Sequence, residues 1–118
     1  MPADIKSPEQ MLPLTPAVFH VLLALAPEER HGYSIMQHVL ETTDGRIKMG
    51  PGTLYGTIKR LLAAKLIEES DERPDPKLDD ERRRYYRLTP FGRRVLGAEV
   101  ARYSHAVKMA HGFGIVTA

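Results

Sequence analysis

Residues 50–69 read GPGTLYGTIKRLLAAKLIEE, and the fold turns on this stretch. Gly50-Pro51 predicts a helix start, since proline's fixed φ suits the first helical position, where no N–H is needed. Leu54, Ile58, Leu61 and Leu62 fall at i, i+4, i+7 and i+8, a single apolar stripe. The opposite face is expected to carry Thr53, Gly56, Thr57, Lys59, Arg60 and Ala63, which makes it polar, basic and small near its start. Tyr55, beside Leu54, is expected to be half-buried, with its ring packed on the core and its hydroxyl toward the outer side. Leu66-Ile67-Glu68-Glu69 then reads as a strand.

On the N-terminal side, Thr15-Pro16 is a cap and first-turn pair. It opens a helix through Ala26 that is apolar nearly all round, and Pro27 ends it. Glu28-Glu29-Arg30 reads as a turn. A second helix spans about Gly32 to Thr42, with Ile35, Met36, Val39 and Leu40 on one side. Thr43-Asp44-Gly45 is its stop signal, and Ile47-Lys48-Met49 suits a very short strand.

On the C-terminal side, 71–80 is a charged segment broken by Pro74 and Pro76. Arg82 to Leu88 reads as a returning strand, with Tyr86 and Leu88 on one face and Tyr85 and Arg87 on the other. Thr89-Pro90 opens a last helix. In it Leu96, Val100, Tyr103, Val107 and Ala110 recur at spacings of 4, 3, 4 and 3, a seam suited to another helix.

The expected fold is mainly α with a small β-hairpin wing (α+β): a winged helix-turn-helix followed by a C-terminal dimerisation helix. The expected division is an N-terminal extension (1–13), the winged domain (14–89), the dimerisation helix (90–111) and a frayed tail (112–118). A chain of 118 residues makes a modest core, to which a dimer interface would add.

The net charge of +2 says little, but its distribution says more. Residues 1–50 hold four Lys/Arg against six Asp/Glu, and residues 51–118 hold thirteen against nine. A polyanion would bind the second half. With no cysteine, disulfides, thiolate zinc sites and cysteine nucleophiles are excluded, and a reducing cytoplasm fits. No signal peptide is visible, and the longest apolar run, Val21 to Ala26, is too short to span a bilayer. No membrane partner is expected.

A major groove about 12 Å wide admits one α-helix, which must show its outer face to the bases. Thr53, Thr57 and Lys59 offer hydrogen-bonding groups, Arg60 suits guanine or phosphate, and Gly56 lets the backbone come close. Arg82-Arg83-Arg84 on the wing strand would reach phosphates or the adjacent minor groove. Asp79-Asp80-Glu81 directly precedes the triplet and can partly neutralise it. Each basic group alone also fits an ordinary solvated surface; the case rests on both lying where a winged domain touches DNA.

Residues 50–69, His31-Gly32-Tyr33 and Arg82-Arg83-Arg84-Tyr85-Tyr86-Arg87-Leu88-Thr89-Pro90-Phe91-Gly92 together resemble the PadR-like regulators, over about residues 14 to 105. The resemblance implies a bacterial homodimer joined through its C-terminal helices. It further implies binding of double-stranded DNA at an inverted-repeat operator, usually as a repressor. It places Thr53, Tyr55, Lys59 and Arg60 on the recognition helix and Arg82, Arg83 and Arg84 on the wing. Some members respond to small aromatic or drug-like effectors near the dimer interface; this chain has no Trp with which to stack one. Its single C-terminal helix is similar to that of the compact subgroup.

Other classes find less support. His20, His31, His38, His105 and His111 lack metal-ligand spacing, so neither a metal nor a cofactor is expected. Residues 50–56 lack the G-K-[ST] ending of a phosphate loop, and no Ser sits in a nucleophile elbow, so an enzyme is not expected. The competing reading is a winged-helix protein-interaction module, whose binding would be insensitive to salt where DNA binding weakens steeply.

Overall fold

The computed structural model describes residues 6–70 and 84–115. A short 3-10 helix, Pro8–Met11, precedes α1 (Pro16–Leu25), β1 (Arg30–His31), α2 (Gly32–Thr42), α3 (Pro51–Ala63), β2 (Ile67–Glu69), β3 (Tyr85–Leu88) and α4 (Pro90–Gly112). The three strands form one antiparallel sheet in the order β1-β3-β2. The fold class read from the sequence holds: helices dominate, and a small sheet closes one side.

Helix starts follow local chemistry. The Thr15 hydroxyl accepts from the Val18 amide at 3.2 Å, and the Thr89 hydroxyl from the Gly92 amide at 2.9 Å. His31 caps α2 with its ring, Nδ1 accepting from the Ser34 amide at 3.0 Å. α3 ends in a Schellman arrangement: the Leu66 amide bonds the Leu61 carbonyl and the Lys65 amide the Leu62 carbonyl. This puts Lys65 in the left-handed region at φ 62°.

The core gathers Val21, Leu22 and Leu25 of α1, Ile35 and Val39 of α2, and Leu54, Ile58 and Leu61 of α3. Tyr86 and Leu88 of β3 join them, while Tyr85 and Arg87 face away, which is the alternation expected from the sequence. Each of these aliphatic side chains contributes on the order of 1.5–3 kcal/mol by burial. α4 is pinned at its start: the Thr89 hydroxyl donates to the Lys65 carbonyl at 2.7 Å, and Gly92 lies so close to the Leu66 carbonyl that no Cβ fits.

Two expectations are corrected. The third strand is Arg30–His31, not the stretch 47–49. Arg30 is extended rather than turned because its Nε donates to the Ala24 carbonyl at 2.8 Å, closing the end of α1. β1 then pairs with β3, Arg30 opposite Tyr86 and His31 opposite Tyr85. β1 takes the edge of β3 at Tyr85 and Tyr86, opposite β2, and residues 47–49 join no strand. The Ile47 amide goes instead to the Thr43 hydroxyl at 3.0 Å, and Met49 is buried in the core.

Candidate nucleic-acid interface

α3 presents its outer face as its stripe requires: Leu54, Ile58 and Leu61 point inward, and Thr53, Lys59 and Arg60 are exposed. The N-cap, Gly50, has no side chain to bond the first amides, so this end of the helix is not capped by its own sequence. Exposed Pro51, Gly52 and Thr53 surround it.

Thr57 departs from the expected pattern. It is only 2 % exposed, so it belongs to the inner side of α3 and cannot face a groove. Its hydroxyl has a different use, accepting from Arg60 Nη2 at 3.2 Å. The guanidinium lies back along the helix toward Gly56, where an added Cβ would stand 3.7 Å from Nη1. Gly56 keeps the surface low beneath the Arg60 head, and Thr57 orients that head. Both roles need tertiary packing to be seen, since threonine is ambiguous between the two faces of a helix.

Tyr55 is half-buried and packs on the core, as expected. Its hydroxyl meets the start of α2: a Cβ built on Gly32 would stand 2.6 Å from the Tyr55 oxygen and 2.9 Å from the ring carbons Cε1 and Cζ.

On the wing, β2 and β3 pair with Glu68 opposite Arg87 and Glu69 opposite Tyr86. Arg87 Nε donates to Glu68 Oε2 at 2.9 Å, and exposed Arg84 lies 3.9 Å from Glu69 Oε1. Such exposed pairs contribute little to stability and are easily exchanged for a phosphate. Arg82 and Arg83 lie outside the described residues.

α4 divides in two. Val95, Leu96 and Glu99 of its first half are buried in the chain's own domain. Leu96 therefore does not belong to the seam expected to face a partner: at 6 % exposed, it completes the core. Beyond it Val100, Tyr103 and Val107 are exposed along one side, Val107 by 47 %, and Ala110 is half-buried; Met109, Phe113 and Ile115 are exposed as well, Met109 on the opposite side of the helix. The Tyr103 ring meets Phe19 of α1 edge-on, centroids 4.9 Å apart.

Glu99 is a residue sequence reading missed. Its side chain is 0 % exposed, accepts from the Leu14 amide at 2.7 Å through Oε2 and pairs with Arg102 through Oε1. Burial pushes its pKa up, but the Leu14 N–H and the Arg102 guanidinium outweigh it and hold the carboxyl below the usual range. The bond ties the segment before α1 to α4. The signal available was a carboxylate at 99 on the same helix face as Val95 and Leu96.

Among the described residues no cluster of three or more His, Cys, Asp or Glu is placed to hold a metal ion, and no helix is long and apolar enough to cross a membrane.

The arrangement matches known proteins in sequence and shape. Residues 21–98 match the model of the Transcriptional regulator PadR-like family. The transcriptional regulator Rv3488 of Mycobacterium tuberculosis is 39% identical over 77 residues, 65% of this chain and 65% of that protein. An uncharacterized 37.1 kDa protein in a transposon of Streptomyces fradiae is 39% identical over 79 residues, 67% of this chain but 20% of that protein. The chain thus spans less than two thirds of either relative's length. A transcriptional regulator from Clostridium thermocellum superposes with a TM-score of 0.65 at 25% identity, covering 81% of this chain and 90% of that one. A PadR family regulator from Clostridium difficile gives 0.66 at 21% identity, covering 84% and 98%, a likeness of fold. With the family model spanning α1 to the first half of α4, the chain belongs to the PadR-like family of transcriptional regulators.

Proposed function

We propose that the chain is a homodimeric repressor that reads an inverted-repeat operator in double-stranded DNA. One observation carries the reading: α3 offers an exposed polar and basic face whose principal cation, Arg60, is oriented by a buried partner, Thr57. Thr53, Lys59 and Arg60 would meet base edges and nearby phosphates, with Gly56 allowing close approach and the N-terminus of α3, which no side chain caps, accepting a phosphate. Arg82, Arg83 and Arg84 would hold the backbone beside them.

The dimer reading rests on the far half of α4, where Val100, Tyr103 and Val107 face outward along one side with Ala110 beyond them. Covering that face with a second copy would place two recognition helices about 34 Å apart, one turn of DNA. A small aromatic or drug-like effector would act by altering that spacing.

The test is fluorescence anisotropy on a labelled genomic duplex across a salt series, with the Arg82, Arg83 and Arg84 triple alanine variant beside the wild type. Affinity should fall steeply and log-linearly with salt, with a shallower slope in the variant. Binding independent of salt would favour the protein-interaction module.

A further inference from the structure

Gly32 and Tyr55 come from different helices and meet at a point where only glycine fits. Gly32 is buried at the first position of α2, directly after the capping His31. Tyr55 rises from the second turn of α3, and its ring edge and hydroxyl occupy the volume a Cβ at 32 would take, 2.6–2.9 Å away. Real Cβ atoms do not approach that closely, so a side chain at 32 would have to displace the Tyr55 ring, which packs on the core.

We propose that Gly32 and Tyr55 form a notch and key that fixes the angle of the recognition helix, making Tyr55 a positioning residue for base readout. The inference rests on the DNA-binding reading of α3 and deepens it.

The geometry gives the notch a second consequence. The residue before it, His31, pairs with Tyr85 of β3, and its ring meets the Tyr85 ring edge-on with centroids 5.3 Å apart. Arg30, one residue earlier, closes α1 through the Ala24 carbonyl and donates to the Ser34 hydroxyl at 3.2 Å. Three consecutive residues, Arg30-His31-Gly32, therefore join the end of α1, the central wing strand and the recognition helix. A key displaced from the notch tilts α3 against a wing that stays in place. Base contacts need angular accuracy and phosphate contacts need much less, so such a tilt removes discrimination first.

The experiment uses the full chain and two short duplexes: one selected from a random pool by the wild type, and one scrambled from it. Gly32→Ala, Tyr55→Leu and the double variant are compared for both affinities and for thermal midpoint. Gly32→Ala should weaken the selected duplex at least about tenfold while changing the scrambled one little, and the double variant should recover most of that loss because the shorter Leu leaves room for the new methyl. Tyr55→Leu alone should also lose discrimination, which keeps the proposal open to refutation if Gly32→Ala fails to fold. Equal losses on both duplexes for Tyr55→Leu would make Tyr55 a phosphate contact and overturn the proposal. So would a double variant no better than Gly32→Ala. A wild type that selects no duplex overturns the DNA reading itself, a result distinct from either.

Discussion

In the proposed reading of the α3 face, Arg60 is the residue on which base recognition depends. Arg60→Ala should cost about 1–3 kcal/mol on the preferred duplex and relax discrimination. Arg83→Ala should weaken all duplexes alike and lower the salt slope by about one. Anisotropy titrations on specific and random duplexes separate the two, and equal losses from both variants on both duplexes would contradict the division. Thr57→Val should resemble a mild form of Arg60→Ala, because the guanidinium loses its orienting hydroxyl. Glu99 supplies the pH dependence. Its pKa is held below the ordinary carboxylate value in the folded chain. Its contribution to stability is therefore complete above about pH 5 and is lost as pH falls through the unfolded value, about 4.3, toward the folded one. Denaturant midpoints from pH 7 to 3 should fall in the wild type and fall less in Glu99→Gln, which starts lower. Parallel acid limbs in the two proteins would show that Glu99 is not the group titrating.

The elements carry their own predictions at their ends. Lys65 holds a left-handed conformation that costs a side-chain-bearing residue about 1–2 kcal/mol, so Lys65→Gly should raise stability despite glycine's entropy. His31→Ala removes the α2 cap and should cost about 1 kcal/mol, and His31→Asp should restore much of it. Both are read as shifts in urea midpoint at constant slope. These ends also mark how far the sequence could be read. The helices were legible because Thr15-Pro16, Pro51 and Thr89-Pro90 are strong local start signals and their stripes are regular. The β1 strand was not, because two residues have no periodicity and Arg30 is extended only through its bonds to the end of α1 and to β3. The faces of α3 were legible at Leu54, Ile58 and Lys59 and misread at Thr57, whose small polar side chain suits either side. The place of Glu99 on the face of Val95 and Leu96 was legible, but its partner was not, because the Leu14 amide lies 85 residues away in sequence.

Reading an inverted repeat requires two copies of the chain. The exposed apolar line along the far half of α4 is expected to be the dimer seam, with Leu96 excluded by its burial in the chain's own core. Val107→Glu places a charge in that seam, and sedimentation should show a shift toward monomer with a loss of operator affinity far larger than its loss of stability. A dimer unaffected by this change would move the interface elsewhere. Whether a pair of recognition helices reads a symmetric sequence is decided by selecting bound fragments from sheared source DNA at near-physiological salt and sequencing them. Enrichment of a two-fold-symmetric site with half-sites one helical turn apart is expected. A folded, dimeric sample that enriches no sequence would contradict it.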